Sequence, residues 1–195
     1  MNLGSLELVR VRALNKGRPK SIMLIHGLFA NEGFWLPYLD KLREFRLILV
    51  GINFDSAEVN TVTNTLDNIC REEAIDVVVA HSLGCAIARL LKYPRVIFAV
   101  CDVTQATRKS LYCFEHLIMK DFSFSESEVN LAMSNATEIY AACTNTCDLR
   151  VVSYVPTHDN LFEYQIKANF IGDHFDIDNA IRHLAPLVAL DSVTT

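Results

Sequence analysis

The chain has 195 residues, 51% hydrophobic and 21% charged, a balance that supplies a packed core and carries no signature of disorder. The formal net charge is −5 and the lysines and arginines are scattered, which excludes the basic stripe of a nucleic-acid binder. No apolar run approaches the ~20 residues that cross a bilayer, so no membrane span is expected.

The first element is a strand over residues 6–13, where Leu6, Leu8 and Val11 alternate with charged residues. Met1 to Arg12 lacks the apolar stretch of a signal peptide. A second strand, 20–26, runs from Lys20 through Ile25 into His26-Gly27-Leu28-Phe29. A helix pattern at 33–43, a continuously apolar strand at 45–52 and a helix at 60–73 follow. Ile75 to Val79 then form an apolar strand that ends in Ala80-His81-Ser82-Leu83-Gly84. A helix pattern begins at once and covers 84–93. A serine at the tip of a sharp strand-to-helix turn is the setting of a nucleophile elbow. Such a turn lifts the hydroxyl off the sheet edge, with the unpaired N–H groups of a helix start behind it. Ala80 stands where the first Gly of G-x-S-x-G is usual, adding one methyl where strand and helix pass closely. His81 is the variable position of the motif, and its side chain is expected to point away from the pocket.

The strand 96–103 ends at Asp102. Residues 106–148 break the alternation: they are dense in aromatics, and Ser125-Glu126-Ser127-Glu128 fits a capping box that opens a second helix. A small apolar lid is favoured here, with a plain crossover helix as the alternative. Strands at 149–155 and 164–171 and a helix at 176–190 complete the chain. Strand runs that are apolar throughout belong to parallel sheets covered on both faces, and strand–helix alternation implies βαβ units. The whole reads as one domain, 1–195. His26, Ser82 and His174 all lie just past strand ends, so one edge of the sheet would gather them.

Taken together, Ala80–Gly84, the His26-Gly27 pair and Gly172-Asp173-His174-Phe175 resemble the α/β-hydrolase superfamily over residues 6–190. Gly-Asp-His-Phe is similar to the thioesterase branch that serves polyketide and peptide synthases. The resemblance implies an α/β-hydrolase fold: a mostly parallel sheet wrapped by helices on both faces, with 106–148 as a small helical lid. It implies Ser82 as nucleophile, His174 as general base, and the backbone N–H groups of Leu28 and Leu83 as oxyanion hole. Asp159 follows the strand 149–155 at the usual place of the acid, but only fifteen residues before His174, so the customary crossover helix is mostly missing. Either residues 160–164 make one tight turn or the last strand is not parallel. Asp102 is the alternative acid, at the position synthase-type thioesterases often use; Asp159 is preferred. His26 is expected to brace the oxyanion loop. His116, His158 and His183 carry no motif.

Phe29, Trp35, Phe114, Leu117, Ile118 and Phe122 are the expected walls of an apolar substrate pocket. The expected substrate is an ester or thioester of an apolar acyl group, which a carrier protein could present. Acyl transfer, cyclisation or elimination on the same triad, and a non-catalytic binding protein on this fold, are the competing readings. No metal or organic cofactor is implied. The six cysteines (70, 85, 101, 113, 143 and 147) lie mostly in apolar surroundings, and no His or second pair completes a zinc set around Cys143 and Cys147. They read as free thiols of a cytoplasmic protein.

Overall fold

The computed structural model describes residues 8–54, 58–106, 126–143, 150–159 and 161–190. Six strands form one sheet: β1 (Val9–Leu14), β2 (Ser21–Ile25), β3 (Arg46–Ile52), β4 (Val77–His81), β5 (Val96–Val100) and β6 (Val151–Tyr154). Their order is β1-β3-β2-β4-β5-β6. β1 pairs antiparallel with β3, and every other pairing is parallel. The helices are α1 (Val59–Glu72), α2 (Leu83–Leu90), α3 (Glu126–Cys143) and α4 (Asp178–Leu190). A 3-10 helix, Glu32–Leu42, replaces the helix expected over 33–43. It carries Pro37, which removes a helical donor in mid-run, and Asn31 caps it by accepting from the Gly33 N–H at 2.7 Å.

The pleat sorts the sheet residues. Met23, Ile25, Ile48, Val50, Val78 and Ala80 join the core cluster under α1, α2 and α3, while Ile22, Leu24, Leu47, Leu49 and Val79 join the cluster under the 3-10 helix and α4. Right-handed crossovers demand this division. The link β2→β3 runs one way along the sheet and β3→β4, β4→β5 and β5→β6 run the other, so their helices fall on opposite faces. Val62, Leu66 and Cys70 make the inward stripe of α1. Each fully buried large side chain contributes roughly 1.5–3 kcal/mol. The chain after β2 leaves towards one face and the chain after β4 towards the other. A crevice therefore opens at the carboxyl ends of β2 and β4, the topological switch point of the sheet.

Three expectations change. The segment 164–171 is not a strand: it makes only isolated bridges, Ala106 with Tyr164 and Pro156 with Phe170. Among the described residues between β6 and α4 there is no helix, and the chain returns as an irregular loop. Second, α3 packs as a crossover helix between β5 and β6, burying Val129, Ala132, Ala136 and Ile139 in the cluster shared with α2. The rest of the expected lid, with Phe114, Leu117, Ile118 and Phe122, lies outside the described residues, as does the capping Ser125. Third, Trp35 is not a pocket wall. It is fully buried in the α4-side cluster, where the 3-10 helix turns its apolar face onto β2 and β3.

Candidate active site

Ser82 follows β4 directly, with φ 54° and ψ −124°, a conformation that L-residues rarely adopt. The strain is maintained from both sides. The Ser82 N–H donates to the Val100 carbonyl on β5 at 3.0 Å, and its own carbonyl accepts from the Cys85 N–H at 3.0 Å. Two glycines make the space. A Cβ on Gly84 would strike the backbone oxygens of Ile25 and His26, and a Cβ on Gly27 would lie 2.7 Å from Ser82 Cβ and 3.2 Å from its Oγ. The loop after β2 therefore presses against the serine. His26 holds that loop as expected of it: Nδ1–H donates to the Gly27 carbonyl at 2.7 Å, and Nε2 accepts from the Ile52 N–H at 2.9 Å. Burial pushes its pKa down, which suits a neutral ring with one donor and one acceptor.

His174 comes from the irregular loop before α4. Its Nε2 lies 2.9 Å from Ser82 Oγ and its Nδ1 3.0 Å from Asp159 Oδ2. The carboxylate can only accept, so Nδ1 carries the proton and Nε2 offers a lone pair to the serine hydroxyl. Asp159 is tied within its own turn. Its Oδ1 accepts from the Leu161 and Phe162 N–H groups at 2.8 and 3.0 Å, and its Oδ2 also accepts from the Tyr164 hydroxyl at 2.6 Å. Burial would raise the Asp159 pKa, but the hydrogen bonds from His174, Tyr164 and Leu161 outweigh it and hold the carboxyl below its ordinary value. Phe162 packs against the His174 ring at 5.0 Å between centroids. Leu161, Phe162 and Tyr164 fold back onto the Asp159 carboxylate, which leaves its Oδ2 in contact with His174.

Asp102 is not at this site. It is fully buried in an ionic cluster with Arg89 Nη2 at 2.6 Å, Ser153 Oγ at 2.5 Å and Thr104 Oγ1 at 2.6 Å. It pins α2, β6 and the end of β5 to one another, a structural role that strand-end position alone could not distinguish from catalysis. Tyr164 and the Arg89 cluster carry no sequence signal. His81 does not turn away as expected: its ring centre is 5.0 Å from that of His174, and its Nε2 is 2.7 Å from the His174 carbonyl.

Leu28 and Phe29 line a cavity of about 240 Å³ with Ala30, Asn31, Ile52, Asn53 and Phe54, beside the loop after β2. The Asn135 side chain of α3 reaches the Phe54 carbonyl at its rim. Another cavity, about 210 Å³, lies at the amino ends of β2, β4 and β5, the opposite end of the sheet from Ser82. Leu83 opens α2, so its N–H is one of the donors a helix start leaves unpaired. Among the described residues, His81, Cys101 and His174 hold the one set of potential metal ligands, all within 4.8 Å. Their hydrogens are already engaged with main-chain carbonyls and with Asp159, and burial pushes the Cys101 thiol well above its ordinary pKa, which suits a hydrogen-bonded cluster better than a metal site.

No protein-family profile matches the sequence, and no curated protein is detectably similar to it. Solved structures are. A monoacylglycerol lipase of Paleococcus ferrophilus superposes with a TM-score of 0.66 at 12% identity, covering 94% of this chain and 99% of the other. A carboxylesterase of the thaumarchaeon Nitrososphaera gargenis gives 0.62 at 12% identity, over 97% and 99%. The thioesterase domain SrfTE, described as cyclising the lipopeptide surfactin, gives 0.59 at 10% identity, over 95% and 96%. With the mostly parallel sheet and its helices on both faces, these likenesses establish that the chain has the α/β-hydrolase fold.

Proposed function

We propose that the chain is a serine hydrolase that cleaves an ester or thioester of an apolar acyl group. The observation that carries this reading is the continuous contact Ser82 Oγ–His174–Asp159, from a strained elbow to a carboxylate held in the ionised form. His174 Nε2 takes the Ser82 proton as Oγ forms a bond to the acyl carbon, and the carbonyl π electrons move onto oxygen. The Leu28 and Leu83 N–H groups receive that oxyanion. Collapse expels the alcohol or thiol, which leaves with the proton from His174. Water then repeats the sequence on the acyl-enzyme and releases the acid.

The cavity lined by Leu28, Phe29, Ile52 and Phe54 adjoins the oxyanion loop and suits an apolar acyl group. A carrier protein could present the thioester. Cys70, Cys85 and Cys101 are buried free thiols, which fits a reducing, cytoplasmic setting. A fluorophosphonate labels only a serine activated by a base. The native chain should gain one adduct by intact mass, and Ser82→Ala should gain none. An unlabelled native chain, or an adduct that survives Ser82→Ala, defeats the proposal.

A further inference from the structure

The base sits on a loop without a ladder to hold it. Between Asp159 and α4 none of the described residues belongs to a regular strand, so the His174 main chain, from which the imidazole is hung, depends on individual contacts. Its carbonyl oxygen accepts from two buried side chains: His81 Nε2 at 2.7 Å and Cys101 Sγ at 3.6 Å. Cys101 Sγ also lies 3.7 Å from the Asp173 carbonyl. Both side chains come from carboxyl ends of central strands, His81 from β4 and Cys101 from just past β5. His81 is the covalent neighbour of Ser82.

We propose that His81 and Cys101 are positioning residues that clamp the main chain of His174 and so fix its imidazole against Ser82. The inference deepens the hydrolase reading and rests on it. A carbonyl can only accept, so His81 Nε2 carries the hydrogen and, in a neutral ring, Nδ1 is a bare acceptor. That Nδ1 is buried and has no hydrogen-bond partner. It faces Gly27, whose added Cβ would lie 3.3 Å away. Phe34 stacks on the ring at 4.3 Å and 22°, which fixes its plane. A buried lone pair without a partner is a cost that an apolar side chain of similar size would avoid. The histidine retains it because only the opposite edge of the ring reaches the His174 carbonyl. The ring stays neutral, since burial and the adjacent His174 both push its pKa well down. The nucleophile and the base are therefore joined twice, once through Oγ and Nε2 and once through the residue before the nucleophile. An error of about 1 Å between reacting groups can cost on the order of a hundredfold in rate, which is what a second attachment prevents.

The test compares donors with shape-matched non-donors: His81→Gln against His81→Leu, and Cys101→Ser against Cys101→Ala. The readouts are the rate of fluorophosphonate labelling and kcat and KM on p-nitrophenyl butyrate. His81→Leu should lower labelling and kcat together by about ten- to a hundredfold with KM within about twofold, and His81→Gln should recover most of the loss. Cys101→Ala should lose about threefold and Cys101→Ser less, its sulfur contact being the longer. Labelling of His81→Leu within twofold of the native rate, or His81→Gln no faster than His81→Leu, overturns the proposal. Imidazole ¹⁵N NMR on the native chain tests the clamp without relying on activity or on the folding of a variant. His81 should hold its proton on Nε2 from pH 5.5 to 8, and a proton on Nδ1 or a titrating ring rejects the clamp. A native chain that shows the expected tautomer but never labels defeats the hydrolase reading alone.

Discussion

The two halves of the site are built by different means. Ser82 is set by the regular backbone: parallel strands on both sides, a helix starting at once, and two glycines whose missing side chains let neighbouring chains meet. His174 is set by side chains: Asp159 and Tyr164 within one turn, Phe162 against the ring, His81 and Cys101 on the carbonyl. A site half needs a sheet only where the chain has residues to make one. Where the sixteen residues from Asp159 to His174 must carry carboxylate, turn and imidazole, side-chain contacts take over the task.

The comparison is sharpest at the two aspartates. Asp159→Asn should lower kcat/KM by about 10³–10⁴-fold with little change in melting temperature, since an amide no longer selects the Nδ1–H tautomer. Asp102→Asn should do the reverse: about 3–5 kcal/mol of stability lost, because the Arg89 charge is left buried without its partner, and near-normal turnover of the folded fraction. Urea unfolding and steady-state kinetics on both variants measure the split, and equal effects on turnover would erase the distinction between the halves. On the backbone-built side, space matters more than side-chain chemistry. Gly27→Ala should slow labelling about ten- to a hundredfold, because its methyl would lie 2.7 Å from Ser82 Cβ. Native-like labelling in this variant would mean the loop after β2 is not seated on the serine.

Protonation distinguishes the halves more gently. The folded-state pKa values of His26 and His81 are lowered, so below pH 6.5 the unfolded chain binds protons that the folded chain refuses. Stability is thus fully present above that pH and falls as pH drops, by at most about 1.4 kcal/mol per unit for each ring. His81→Gln should flatten the slope of urea-derived stability between pH 7 and 5.5, and an unchanged slope would show that His81 is not the resisting group. The smallest effect is expected at Ala80. Ala80→Gly restores the usual elbow motif but should cost about 0.5–1 kcal/mol in strand stability and leave labelling unchanged. Faster labelling would mean the extra methyl hinders the elbow.

Legibility in the sequence follows the same division. The expected strands at 75–80 and 96–103 and the serine turn between strand and helix rest on local patterns, and they locate Ser82 and place β4 and β5 to within three residues at each end. The geometry at Asp159 and His174 has no periodicity to read. The spacing of fifteen residues raised the right difficulty, yet 164–171 looked like a strand because Phe170 and Ile171 supply apolar character, whereas Ile171 is in fact 73% exposed. The sequence marks Trp35 as apolar but does not show which face of the sheet it meets. Asp102 and Asp159 both follow strands, and it is the contact with Arg89, thirteen residues earlier and one crossover away, that sets Asp102 apart.

The turn at Asp159 has one more consequence. Asp159 and His174 lie on a single stretch of backbone, and the carboxylate oxygens are largely satisfied by groups from that same stretch. The pair is accordingly a cassette. Grafting that stretch onto another sheet would carry the carboxylate and the imidazole together, but the host would also have to supply donors for the His174 carbonyl, as His81 and Cys101 do here, whereas the serine cannot be moved without taking the whole middle of the sheet with it.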